Sequence, residues 1–314
     1  MSDRSWRTDA LLLFVVLVWG LNFAVIKVAL AALHPFTVNI VRFLIAALTL
    51  GAMLAWECAR QDGSFGARFT APLREHLGGV LLLGFSGNIL YQTCFIFGVD
   101  LTAAGSAALI MASVPIWTAL MARVGGQERL NGLAWAGLLL SLVGTVVVIL
   151  AGGRTLDLGV DRLLGNLLML GAAVFWALYT VLSKPVMTRG ASPTGLAFYG
   201  IVVALPGMYA FHHVGADPVV WTGLSGAVWA SLAFSGALSI GVAYGLWNVA
   251  VRQVGAPYAA AYGNLVPFVA IGSGAWLLDE AVTAYQLLGG ILIIGGLLVL
   301  RRARLYRQRE AVSA

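Results

Sequence analysis

The chain has 314 residues, of which 60% are hydrophobic and 10% charged, with a net charge of +6 and a mean hydropathy of +0.91. A soluble domain carries about 25% charged residues, so this composition excludes a water-soluble globular protein. Long apolar runs of the length a helix needs to cross a bilayer recur from end to end, and the alternating pattern of an outer-membrane barrel does not.

In chain order the predicted spans are 10–32, 35–56, 77–98, 102–121, 131–151, 163–183, 193–212, 230–251, 256–277 and 283–300. No small-residue cleavage pattern follows the first run, which therefore reads as a retained span and not a signal peptide. The stretch 219–229, with Trp221 and Trp229, is apolar but surplus to the eighth span; tryptophan favours the interface, and the stretch is expected there. Cys58 is expected in a polar loop and Cys94 in an apolar segment, and their spacing makes neither a disulfide framework nor a metal site.

The basic residues orient the spans. With the N-terminus cytoplasmic, the inner segments hold Arg4, Arg7, Arg60, Arg68, Arg74, Arg123, Arg129, Lys184, Arg189, Arg252 and the tail cluster Arg301, Arg302, Arg304, Arg307 and Arg309. The outer loops hold only Arg154 and Arg162. A bias of 15 to 2 is a strong positive-inside signal, so both termini are expected at the cytoplasm of a multi-pass protein of the bacterial inner membrane. Anionic headgroups suffice to explain the basic tail, and no nucleic-acid partner is expected.

Halfway along, the first helix reappears. Trp19-Gly-Leu-Asn22-Phe-Ala-Val-Ile-Lys27 aligns with Trp176-Ala-Leu-Tyr179-Thr-Val-Leu-Ser-Lys184 at an offset of 157. Further on the offset is 152, pairing Pro115 with Pro267, Glu128 with Glu280, Gly137 with Gly289 and Gly144 with Gly296. The chain thus divides into two repeats, 1–152 and 153–314, of five spans each. Five is odd, so the second repeat is expected to sit inverted in the bilayer, a common ground plan for transporters with the substrate near the midplane. The loop after span four carries Arg123 and Arg129 where its counterpart carries Asp279 and Glu280, in keeping with opposite sides.

These residues resemble the drug/metabolite transporter superfamily, specifically its EamA-type ten-helix exporters. The likeness is carried by Trp19-Gly20-Leu21-Asn22-Phe23, by Pro35 to Arg42-Phe43, by Ala103-Ala104-Gly105-Ser106-Ala107 with Pro115, and by Glu128, Gly137 and Gly144. Ala259-Ala260, Pro267, Glu280, Gly289 and Gly296 supply the second copy. The resemblance implies an all-α integral membrane protein with a central cavity lined by spans one, three, four, six, eight and nine. It also implies export of amino acids, other metabolites or drug-like compounds. Tyr179 stands where the first copy has Asn22, so the two cavity halves are expected to differ chemically.

Polar groups inside spans usually face protein or water. Span three places Asn88, Tyr91, Gln92 and Phe95 on one α-helical face. Tyr244 and Asn248 in span eight, Tyr258 and Tyr262 in span nine, Trp19 with Asn22, Trp176 with Tyr179, and Ser113 complete the candidate substrate-binding set. Such a set suits a small amphipathic solute, hydrophobic or aromatic amino acids first; the alternative role for each residue is interhelical bonding. Lys27 and Arg42 are the ionisable groups well within spans, either pairing with a substrate carboxylate or snorkelling to outer headgroups. Pro115 and Pro267 fall mid-span, as bending points for alternating access or as static kinks. Trp6, Trp56, Trp135, Trp221, Trp229 and Trp276 are placed as interfacial anchors.

All 13 acidic residues lie in loops, tails or span ends, so no mid-membrane proton relay is legible. With no phosphate-binding glycine loop, metal-ligand cluster or nucleophile–base pair, neither an ATP-driven pump nor an enzyme is expected, and no cofactor. The expected partners are a small-molecule substrate and membrane lipid, with the oligomeric state left open. A channel-like pore and an intramembrane lipid-modifying enzyme are the competing classes; saturable counterflow distinguishes a carrier from the former.

Overall fold

The computed structural model describes residues 2–62, 64–101, 107, 110–127, 130–151, 160–215, 220–269 and 284–313. Among them the helices run α1 Ser2–Leu30, α2 Pro35–Ala59, α3 Phe65–Glu75, α4 Leu77–Leu101, α5 Val114–Val124, α6 Gly132–Ala151, α7 Val160–Thr188, α8 Pro193–Gly215, α9 Gly226–Val254, α10 Ala256–Ala261 and α11 Ala284–Ser313. Six helices are long and apolar enough to cross a membrane, and Val114–Val124, Gly132–Gly144 and Leu287–Leu300 are shorter apolar ones. The chain is an all-α, multi-pass membrane protein. Lipid is the solvent for its outer faces: Leu48 is 76% exposed and Ile291 67%.

Local chemistry sets the helix starts. Pro35 opens α2 behind His34, whose Nδ1 accepts from the Phe36 amide, and Asn131 Oδ1 accepts from the Ala134 amide at 2.9 Å to open α6. Gly255 turns the chain between α9 and α10 at φ 87, a left-handed conformation that glycine adopts without strain. The connection after α2 is more ordered than a polar loop: α3 lies there, its Phe69 packed on Phe198 of α8 and its Arg68 Nη1 donating to the Cys58 carbonyl at 3.2 Å. Cys58 itself is buried in the last turn of α2, because that helix runs beyond the apolar stretch. Trp6, Trp56, Trp221 and Trp229 are exposed near span ends and Trp135 is half-buried. The Arg60 guanidinium lies 4.1 Å above the Trp56 ring. Trp276 and both Glu128 and Glu280 lie outside the described residues, as do 103–106 and the outer-loop residues Arg154 and Asp279.

The relation between the halves is written in glycine. A Cβ on Gly137 would stand 2.8 Å from the Gly296 carbonyl oxygen, and one on Gly144 would stand 2.6 Å from that of Gly289. The earlier glycine of α6 thus meets the later glycine of α11, and the later meets the earlier, so the two helices run antiparallel. The sequence repeat pairs Gly137 with Gly289 and Gly144 with Gly296, so the two contacts exchange under a two-fold rotation. An antiparallel pairing of equivalent helices is what an inverted repeat would place there. Backbones approach this closely only where neither helix carries a side chain.

Two further features repeat. α4 and α9 each contain a π-helical segment, Gly84–Leu90 and Phe234–Val242, at matching positions. Gly84 packs against the Gly200 carbonyl and its counterpart Gly236 against the Arg42 carbonyl, each 2.9 Å from a would-be Cβ. Spans four and nine are both broken just before their prolines, at 112–113 and at the 3-10 turn Tyr262–Leu265. Pro115 therefore starts a new helix and does not kink a continuous one, since its missing N–H costs nothing in a first turn. Ser113 Oγ donates to the Ile110 carbonyl at 2.6 Å, satisfying a group the break releases.

Candidate substrate cavity

A chamber of about 840 Å³, counting its open mouth, lies where the halves meet. α1 contributes Trp19, Asn22 and Phe23; α4 contributes Tyr91, Gln92 and Phe95; α7 contributes Trp176; α9 contributes Ser239, Ile240, Tyr244 and Trp247. The broken spans supply Met111, Ala112 and Pro115 on one side and Ala260, Gly263 and Pro267 on the other. α2 adds Arg42.

Aromatic packing shapes the floor. Trp176 stacks on Tyr179 at 5.2 Å and on Tyr244 at 5.1 Å between centroids, while Trp19 meets Trp176 edge-on at 5.4 Å. Trp19 and Trp176 are repeat equivalents, so the pseudo-two-fold passes between them. Trp19 Nε1 is satisfied by the Ser239 carbonyl at 3.1 Å, which fixes the indole as a wall.

The cavity lies to one side of this axis, and side-chain size explains why. Tyr179 lies directly over Gly87, where a Cβ would overlap its ring. The symmetry-related places hold Asn22 and Ser239, both small, and both line the chamber. The Asn22–Tyr179 difference therefore closes one side and leaves the other open.

Arg42 is 2% exposed, and its Nη1 donates to Asn39 Oδ1 at 3.1 Å. Asn39 Nδ2 in turn donates to the Gln92 carbonyl at 3.2 Å, tying the guanidinium to α4. Its Nε has no partner, nor do the side-chain oxygens Asn22 Oδ1 and Gln92 Oε1. Gln92 Nε2 donates to the Tyr244 hydroxyl at 2.8 Å. Among the described residues no carboxylate lines the chamber. Of the two roles open to Arg42, facing the chamber replaces snorkelling. Lys27 is exposed near the end of α1 and is not part of the lining.

Several expected lining residues lie elsewhere. Asn88 falls in the π-helical segment, whose wider turn breaks the α-helical register with Gln92, and it packs against Gly200 of α8. Asn248 Nδ2 donates to the Tyr179 hydroxyl at 2.9 Å and to the Pro193 carbonyl at 3.3 Å, so Asn248 and Tyr179 bridge α7, α8 and α9. Ser113 Oγ accepts from Trp117 Nε1 at 3.1 Å and belongs to the helix break. Tyr258 and Tyr262 donate to Asp9 Oδ1 at 3.2 and 2.8 Å, far down α1 from Trp19. That cluster joins α1 to α10 on the side away from the chamber. Ala112, Ser239, Ala260 and Gly263 are not legible as lining in sequence, because they open space by being small or by contributing backbone.

A helical membrane protein whose equivalent helices α6 and α11 pair antiparallel, with an aromatic chamber among its spans, falls in the class of multi-pass transporters. The chain belongs to the EamA-like transporter family, whose profile matches residues 6–150 and again 163–302. It is similar to proteins named "Probable amino-acid metabolite efflux pump", at 29% identity to that of Escherichia coli (strain K12) and 30% to that of Salmonella typhimurium (strain LT2), covering 94% of this chain and 95% of each relative. A "Probable terminal-alkyne amino-acid exporter" of Streptantibioticus cattleyicolor is 28% identical over 99% of this chain and 97% of its own length. A solved crystal structure shares the fold with a TM-score of 0.77, covering 95% of this chain and 99% of that one at 22% identity.

Proposed function

We propose that this chain exports small amphipathic metabolites across the bacterial inner membrane by alternating access, with hydrophobic or aromatic amino acids as the leading class. The observation that carries the reading is the chamber beside the pseudo-two-fold, walled by Trp19, Tyr91, Trp176 and Tyr244 with a buried cation, Arg42, in its described lining. Apolar faces suit the side chain of such a solute, and a few polar groups orient its head. The amino-acid names of the similar bacterial proteins support the same class.

The repeats 1–152 and 153–314 are the moving bodies in this reading, with the helix breaks before Pro115 and Pro267 as hinges. The arginine and lysine distribution supports both termini at the cytoplasm. In that orientation α1 runs outward, and the Asp9–Tyr258–Tyr262 cluster closes the cytoplasmic side of the chamber. Purified protein in liposomes preloaded with unlabelled amino acid should show saturable, counterflow-stimulated uptake of the labelled compound. Conductance without saturation would replace the carrier by a pore.

A further inference from the structure

We infer that the chamber reads both charged ends of a free α-amino acid, Arg42 taking the carboxylate and the amide oxygens of Asn22 and Gln92 taking the ammonium. The inference rests on the amino-acid reading above and assigns its subsites.

Three buried polar groups of complementary kind stand unsatisfied in one wall system. Arg42, Gln92 and Asn22 are 2%, 3% and 5% exposed, and all three line the chamber. A guanidinium removed from water needs an anion, and one neutral acceptor, Asn39 Oδ1, does not supply it. No carboxylate among the described lining residues does so either. Buried acceptors without donors are likewise costly, and Asn22 Oδ1 and Gln92 Oε1 are two of them.

The Gln92 amide nitrogen is committed to Tyr244, which leaves its oxygen as the free end. One occupant carrying a planar anion and an N–H-rich cation would satisfy all three. Chloride would neutralise Arg42 and leave both oxygens unmet; an amine would do the reverse. The indole and phenol faces of Trp19, Trp176 and Tyr91 further favour an ammonium beside them.

The test uses the full chain in proteoliposomes, with counterflow of labelled L-phenylalanine as the readout. Its competitors are phenylalanine methyl ester, 3-phenylpropionate and phenethylamine, which lack the carboxylate charge, the ammonium, and the carboxylate respectively. Each should need at least tenfold more than phenylalanine to halve the flux. Arg42→Gln should raise the half-saturating phenylalanine concentration at least tenfold and erase any preference for 3-phenylpropionate over phenethylamine. Asn22→Leu should weaken phenylalanine and phenethylamine and leave 3-phenylpropionate unchanged.

The competition in the unaltered protein stands even where a variant fails to fold. Phenylalanine moved with all four compounds competing equally would overturn this assignment and leave the exporter reading intact. Flux of none among a panel of the common amino acids would overturn both.

Discussion

Gln92 and Tyr244 stand at equivalent places in the two halves, 152 residues apart, and the amide of one donates to the hydroxyl of the other at 2.8 Å. The bond crosses the line about which the halves are related, next to the Trp19–Trp176 contact between another equivalent pair. A bond made across such a line joins the two bodies directly. Its strength in the membrane interior is that of other interhelical pairs, about 0.6–2 kcal/mol.

Gln92→Leu removes this bond and a polar group of the wall while preserving bulk. The expected outcome is a fall in counterflow of about tenfold, the equivalent of about 1.4 kcal/mol, with unchanged elution of folded protein on size exclusion. Tyr244→Phe should reproduce the part of the loss that belongs to the bond.

Close packing of α6 on α11 predicts a stability effect. A methyl on Gly144 would meet the Gly289 carbonyl and the Ile293 nitrogen, both backbone, so neither can swing aside. Gly144→Ala should lower stability by about 1–3 kcal/mol, typical of overpacking, visible as a lower melting temperature in detergent. Gly132, which has nothing near a would-be Cβ, should accept Ala without loss.

Tyr179 and Asn248 are bridging residues in this structure, not wall. Tyr179→Phe should therefore cost about 1 kcal/mol of stability and leave the half-saturating concentration unchanged. A rise in that concentration with normal melting would return Tyr179 to the site.

The Asp9–Tyr258–Tyr262 cluster ties α1 to α10 below the chamber. Asp9→Asn weakens charge-assisted bonds, which are about twice as strong as neutral ones, and should loosen that closure. A cysteine placed at Ala260, between the two tyrosines and in the chamber lining, should then react several-fold faster with an impermeant thiol reagent in inside-out vesicles. Equal rates in both backgrounds would remove the cluster from the closure.

The spans are legible in sequence because lipid permits few alternatives to long apolar helices. α2, α4, α6 and α8 begin within a residue of the places their Pro, Leu and Gly residues mark. The antiparallel pairing of α6 and α11 is likewise foreshadowed by glycines matching at one offset. Asn88 was lost because a face drawn at 3.6 residues per turn assumes a regular helix, and α4 is not regular over Gly84–Leu90. The glycines at 84 and 87, beside Gly236 in the other copy, were the available signal. Tyr258 and Tyr262 carry the residue types of a binding site, and only the partner at Asp9, some 250 positions away, reveals their other use. α3 is not legible in sequence because a short amphipathic helix has little apolar length to declare it.

The central claim is that solute passes through the chamber between the halves. The most direct measurement places a single cysteine at Ala112, in the chamber lining, with Cys58 and Cys94 replaced by Ser. An impermeant thiol reagent should abolish counterflow of L-phenylalanine, and saturating phenylalanine should slow the modification several-fold. Complete modification with transport undiminished would contradict the account.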